Sequence, residues 1–345
     1  MDGLLNTKEL RQALQRIDRP KILVVGDIIA DVYIEGTISR ISREAPVLIV
    51  EQQEQHLVLG GAANAAHNLA ELGGEVYLAG IVGTDPIGEE LHTLLEQKQI
   101  DHELVFSSRQ LPTCTKTRIL AAAEHAVRQQ MLRVDRMPQG ALEAEGWDFL
   151  RESLRSIVKQ VDGIHISDYG LPMLSDGLRD ELMKLARQEH KLTLVDSRYQ
   201  LSKFSGATIV TPNLEEASHF VGYPIRNHAE LEQAGWEMMA ALQCQAVLIT
   251  RGPEGMSLFT QEQIVHHLPV YNKAEVADVS GAGDTVASMM ILALASGING
   301  ALAAKLANVA AGVVVRKVGT ATLTRDELAM EIDAYEMKQS EKALA

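Results

Sequence analysis

The sequence is poor in cysteine, in aromatic residues, in basic charge and in long apolar runs. Its two cysteines, Cys114 and Cys244, lie far apart in 345 residues and outside any CxxC pattern. This excludes a disulfide scaffold and points to reduced thiols in the cytoplasm. No stretch reaches the roughly 18 apolar residues of a membrane helix. The opening "MDGLLNTKELRQALQRIDRP" is charged throughout and has no signal-peptide core. Lys and Arg number 32 against 46 Asp and Glu, a formal net charge of −14. That balance argues against nucleic acid and membrane surfaces as partners, since both are polyanions. It still permits a small anionic substrate held by a few local arginines. Common signatures are missing as well: no GxGxxG follows the first strand, and there is no P-loop, HExxH, EF-hand loop or GxSxG. The adjacent His266 and His267 point to opposite faces of a strand and cannot share a metal.

What is present is an apolar fraction of 46%, ample for a large core. Strand patterns over 21–28, 75–83, 163–169, 192–197, 208–213 and 246–252 alternate with helical patterns over 62–74, 85–99, 143–160, 174–189 and 227–243. After 281 the chain reads as helices over 283–296, 299–316 and 325–342. Such alternation predicts a mainly parallel sheet covered on both faces. Two stretches, 33–60 and 113–134, break the rhythm and read as antiparallel β ribbons. They are either edge hairpins or a lid over a site. There is no internal repeat and no Pro-, Gly- or Ser-rich linker, which fits one domain over 1–345.

The segment "ADVSGAGDTVASMMILALASG" (277–297) sets a glycine turn at the mouth of a very apolar helix. Helix N-termini carry unpaired N–H groups and partial positive charge. Glycines there let an anion, usually a phosphate, come close. Asp284 in the first turn could take a proton from a nucleophilic hydroxyl, as phosphoryl transfer needs. Alternatively it only complements the helix dipole. A second pair, Gly60 and Gly61, precedes a helix carrying Asn64. These residues suit close approach of a ligand hydroxyl, or simply a tight turn into a small-residue helix.

Together these motifs resemble the ribokinase-like, or PfkB-type, carbohydrate kinases, over about 20–325. The resemblance rests on Gly60, Gly61 and Asn64, on "DVSGAGD" (278–284), on "GDIIAD" ending at Asp31, on "TPNLEE" with Asn213 and Glu216, and on "TRGPEG" with Thr250 and Gly252. It implies a three-layer α/β/α fold with a small β lid, and ATP and Mg2+ as cofactors. Asp284 would be the catalytic base, with Gly281, Ala282 and Gly283 as the anion hole. Asp31, Gly60, Gly61 and Asn64 would hold the sugar. Asn213, Thr250, Gly252, Asp278 and the glycine turn would meet the nucleotide, with Asn308 beside the adenine and Glu216 at the metal. A K+ site near Asp278 and Gly319 is common in relatives.

Within that family, residues 39–51 and 60–91 look most like the kinases that phosphorylate D-glycero-β-D-manno-heptose 7-phosphate at C1, in ADP-heptose and lipopolysaccharide core synthesis. Three departures stand out. Arg43 replaces a proline, Leu171-Pro172 replace a Lys-Gly pair, and Arg198 replaces a lysine, keeping charge but changing geometry. Arg40, Arg43, Lys116, Arg118, Arg128 and Arg133 fall in the two lid segments. Arg118 and Arg133 are the expected contacts to the sugar phosphate, against a solvated lid face as the plainer reading. The 345 residues hold no H-x-G-H nucleotidyltransferase signature, so the expectation is a kinase alone. The apolar "PVLIV" (46–50) suggests a homodimer through the β lid. The alternatives are a kinase for fructose 6-phosphate, ribose or a keto-deoxy sugar acid, and a non-catalytic sugar or nucleotide sensor.

Overall fold

The structure, a computed structural model, describes residues 6–123, 128–271 and 276–344. The chain opens with α1 (Thr7–Arg16), capped by Asn6, and enters β1 (Lys21–Gly26). Two long strands follow, β2 (Ile28–Ile41) and β3 (Leu48–Gly61), then α2 (Ala62–Glu71), β4 (Glu75–Gly83), α3 (Pro86–Gln97) and β5 (Asp101–Ser108). A second strand pair, β6 (Cys114–Ala122) and β7 (Gln129–Arg136), precedes α4 (Ala144–Ile157), β8 (Gly163–Asp168), α5 (Asp176–Gln188), β9 (Leu192–Ser197) and the short β10 (Ile209–Val210). The rest is α6 (Leu214–Val221), α7 (His228–Leu242), β11 (Ala246–Thr250), β12 (Met256–Thr260), β13 (Val265–Leu268), α8 (Ala282–Ala295), α9 (Gly300–Val314) and α10 (Arg325–Leu344).

Among the described residues the strands form two sheets. The larger has the order β13-β12-β11-β10-β9-β8-β1-β4-β5. It is parallel from β11 to β5, and β12 and β13 add an antiparallel edge. Side chains along a strand alternate in direction. In β1, Ile22 and Val24 therefore pack into one apolar layer, with α1, α2, α8 and α9. Leu23 and Val25 pack into the other, with α4, α5 and α7. This is the three-layer α/β/α arrangement that the strand–helix alternation predicts.

The smaller sheet has the order β3-β2-β6-β7 and corresponds to the two anomalous stretches. Its outer pairs, β2–β3 and β6–β7, are antiparallel hairpins, but β2 and β6 run parallel, Ile29 opposite Cys114 through Thr37 opposite Ala122. The expectation of antiparallel ribbons holds within each hairpin. Residues 124–127 of the second ribbon lie outside the described residues. The stretch expected as one strand over 21–28 breaks at Asp27, where β1 leaves the large sheet and β2 starts the small one.

Candidate active site

Two helices that pack together build the centre of the site. Neither α2 nor α8 has a side chain capping its N-terminus; each starts on a glycine, Gly61 and Gly281. Their contact is a buried polar seam. Asn68 Nδ2 donates to the Asn64 carbonyl at 3.0 Å, Thr285 Oγ1 donates to Asn68 Oδ1 at 2.8 Å, and Ser288 Oγ donates to the Ala65 carbonyl at 3.1 Å. Paired polar groups of this kind fix the helix register, because a slip would strand each of them without a partner. At the open end of the seam Asn64 Nδ2 donates to Asp284 Oδ2 at 2.6 Å. Gly281 has a positive φ of 78°, and a Cβ there would lie 3.0 Å from Asn64 Nδ2. A side chain at 281 would therefore crowd the hydrogen bond as well as strain the backbone.

Asp284 is buried, and the Tyr169 hydroxyl donates to its other oxygen, Oδ1, at 3.2 Å. Burial pushes the carboxyl up to about 6, while Asn64, Tyr169 and the nearby Arg198 pull it back. It lies on a cleft of about 560 Å³ at the C-terminal ends of β8, β9 and β11, lined in part by Asp168, Asp196, Arg198, Asn213, Glu216, Thr250, Gly252, Gly281 and Gly283. Ligands of open α/β sheets bind at this edge. The turn before α8 is held by Asp278, which accepts from the Ser280 N–H (2.9 Å) and the Gly319 N–H (3.0 Å).

Seven of the sixteen sequence-derived residues converge here. Gly281, Gly283, Asp284, Asn213, Glu216, Thr250 and Gly252 all line this cleft. The Ala282 N–H, however, donates to the Val279 carbonyl at 3.2 Å, so this amide is already used inside the turn. Asn308 does not line the cleft; its side chain is buried and donates to the Pro269 carbonyl at 2.7 Å. Asn213 and Glu216 form a reciprocal capping box on α6, with bonds of 2.8 and 2.9 Å.

Asp31 stands beside this centre, on the lid strand β2. Its carboxylate accepts from Arg118 (2.5 Å) and Thr320 (3.1 Å). A Cβ on Gly60 would fall 2.6 Å from Asp31 Oδ2, so only glycine leaves this carboxylate room. Several lid cations have carboxylate partners of their own: Arg118 with Asp31, Arg128 with Glu35, and Arg133 with Asp135 through two bonds of 2.8 and 2.7 Å. Arg133 is exposed on β7.

The sequence assigns no role to several other residues at the centre. Tyr169 is the foremost, with Lys116 Nζ 4.8 Å and Arg198 Cζ 4.7 Å from its ring centre. Asp196 is another. Burial, then the charges of Asp284 and Glu216, hold its carboxyl well above the usual range. Burial also raises Glu216. Two oxygen donors with raised proton affinity suit a hard divalent cation. Among the described residues no group of three His, Cys, Asp or Glu side chains could hold a metal alone. Magnesium is usually bound by one or two carboxylates together with substrate phosphates, and Glu216 and Asp196 are the pair such an ion would use.

The fold is that of the ribokinase-like sugar kinases. The model of the pfkB family of carbohydrate kinases matches residues 19–327. The chain belongs to this family. It is 40% identical over 310 residues to the bifunctional protein HldE of Helicobacter hepaticus (strain ATCC 51449 / 3B1), covering 90% of this chain and 63% of that protein. With HldE of Desulfatibacillum aliphaticivorans the identity is 38% over 323 residues, 92% of this chain and 65% of the relative. The chain thus spans a little under two thirds of the curated relatives it matches. Among solved structures, Arabidopsis thaliana ribokinase complexed with ribose and ATP superposes with a TM-score of 0.74 at 20% identity, over 91% of this chain and 99% of that one. Escherichia coli phosphofructokinase-2 in complex with fructose-6-phosphate gives 0.76 at 19% identity, over 92% and 99%. These likenesses establish the fold. No helix among the described residues is long and apolar enough to cross a membrane.

Proposed function

We propose that the protein transfers the γ-phosphoryl group of ATP to the C1 hydroxyl of D-glycero-β-D-manno-heptose 7-phosphate, giving the 1,7-bisphosphate for ADP-heptose and lipopolysaccharide core synthesis in the cytoplasm. The observation that carries the chemistry is Asp284, a buried carboxylate gripped by Asn64 at the glycine start of α8. Asp284 takes the proton of the acceptor hydroxyl. The Gly281 and Gly283 side of the turn receives the transferring phosphoryl group, and Arg198 offsets its charge. Asn213, Thr250 and Gly252 face the nucleotide. Glu216 and Asp196 would hold a magnesium ion brought in with ATP, which would offset phosphate charge there. Asp278 stays ionised at the Gly319 turn, as a K+ site would require.

The heptose assignment is supported by the lid and glycine motifs and by the identity to the HldE proteins. Asp31 and Asn64 would hold sugar hydroxyls, and Arg118 and Arg133 would exchange their carboxylate partners for the 7-phosphate. The lid leaves Ile41, Val47, Leu48, Leu132 and Val134 exposed, an apolar surface that a second copy of this chain would cover in a homodimer. The test is phosphorus NMR of the protein with ATP, magnesium and the heptose 7-phosphate, with fructose 6-phosphate in parallel. A new anomeric phosphate signal with the heptose alone, absent in Asp284→Asn, is the expected result. Turnover of fructose 6-phosphate instead would keep the kinase and remove the heptose.

A further inference from the structure

Tyr169 follows directly on β8 and is fixed from several directions. Its backbone N–H and that of Leu171 both donate to Asp27 Oδ2, at 2.7 and 3.1 Å. Asp27 is buried between the end of β1 and the start of β2, so this anchor joins the large sheet to the lid. Two cations lie against the Tyr169 ring, Lys116 from the lid strand β6 and Arg198 from the end of β9. The hydroxyl is left pointing at Asp284 Oδ1.

We infer that Tyr169 is a positioning residue, whose hydroxyl sets the orientation of the Asp284 carboxylate toward the acceptor and ties that orientation to the lid through Lys116. This rests on Asp284 being the base. Asn64 alone can hold one carboxylate oxygen but leaves the group free to swing about that bond. A second donor on the other oxygen fixes the plane, and with it the direction of the lone pairs that receive a proton. Burial, then the nearby Asp284 charge, raise the phenol well above its ordinary range, so Tyr169 stays a donor at every working pH. Burial is what raises Asp284, and each donor to its charged form offsets that rise. The charged groups around Asp284 are Arg198 beyond β9, Asp31 on β2 and Asp196 on β9. Tyr169→Phe removes the hydroxyl while leaving all of them in place.

The experiment reads Asp284 by carboxyl carbon NMR of the full chain without substrate, its signal assigned by disappearance in Asp284→Asn. In Tyr169→Phe the midpoint rises from about 6 by about half a unit or more. Replacing Tyr169 by 3-fluorotyrosine, a stronger donor of nearly the same shape, moves it the other way. In turnover, Tyr169→Phe lowers kcat about tenfold, its acid limb follows the NMR midpoint, and KM for ATP stays within about twofold. An Asp284 titration unmoved in both variants overturns the inference, whatever sugar is the substrate. So does a shifted titration with kcat unchanged. Turnover that survives in Asp284→Asn defeats the base assignment itself and takes this inference with it, a result told apart by that single variant.

Discussion

Asn64 and Asp284 lie 220 positions apart in sequence, and their side chains meet at 2.6 Å. The asparagine donates to the carboxylate and so lowers its proton affinity against the rise that burial imposes. With Asp284 near 6, turnover should fall about tenfold per pH unit below that point, as the base becomes protonated. Asn64→Ala should move this acid limb upward and reduce kcat about tenfold. Rate profiles from pH 5 to 8 for both proteins decide it, and superimposable profiles would remove Asn64 from the site.

Gly60→Ala places a Cβ 2.6 Å from Asp31 Oδ2. Either the carboxylate turns away or the strand shifts. KM for the sugar should rise about tenfold or more, with KM for ATP little changed. An unaltered sugar KM would mean that Asp31 does not face the acceptor.

Glu216 has two separable roles. As the fourth member of the Asn213 capping box it caps α6, and glutamine can do the same. Glu216→Gln should keep the thermal midpoint, whereas Glu216→Ala should lose about 1 kcal/mol. Both should raise the magnesium concentration needed for half-maximal turnover. If glutamine restores turnover along with stability, the residue is a cap and nothing more.

His165 lies on β8 with no exposed surface and with neither ring nitrogen hydrogen-bonded. Burial pushes it down to about 3 from 6.5. The unfolded chain therefore binds the extra proton between these values, and stability is lost as pH falls from 6.5 toward 3. Asp27 acts in the opposite sense. Burial raises it from 3.8 to about 7, so its contribution is full below 3.8 and lost as pH rises through 7. The two nearly cancel in the native protein. His165→Leu should relieve the acid-side loss, gaining roughly 2–3 kcal/mol on wild type between pH 7.5 and 4.5. Denaturant midpoints at the two pH values measure this, and a constant difference would refute it.

The lid face carries Leu132 and Val134, about half exposed on β7. Leu132→Lys with Val134→Lys should convert a dimer to a monomer in light scattering while leaving the melting of the α/β/α core unchanged. A wild-type monomer at micromolar concentration would rule the dimer out.

The six inner strands of the large sheet and most of its helices are legible because their signals are local: apolar runs of strand length, and capping residues such as Asp85 before Pro86. The edge strands β5, β12 and β13 and the first helix α1 are not among those the sequence reading gives. The Asp284 helix was legible because a glycine turn meets a nearly unbroken apolar run. Helix α6 was not read as a helix, being only eight residues long, although its N-x-x-E start is a capping-box signature. The parallel pairing of β2 with β6 joins segments about 85 residues apart, and no local pattern encodes it. Tyr169 was equally hidden. Its partners Asp284, Lys116, Arg198 and Asp27 come from four distant segments, so no local pattern encodes its place at the carboxylate. Asn308, a polar residue in an apolar helix, donates to the Pro269 carbonyl, a partner that no local pattern announces.

The first hairpin of the lid leaves the core at Asp27 and returns at Ala62, and the Ala62 N–H closes this junction on the Asp27 carbonyl at 2.9 Å. Exit and re-entry are therefore neighbours, and the base of the hairpin is rooted in the core through Ile28, Ala30, Val32, Leu57 and Leu59. Such a root lets the outer part, residues 36–54, change in length and surface without disturbing the machinery beneath. Acceptor choice and self-association could diverge on one cassette while phosphoryl transfer stayed fixed on another, and a graft of that hairpin from a relative should carry its preferences with it.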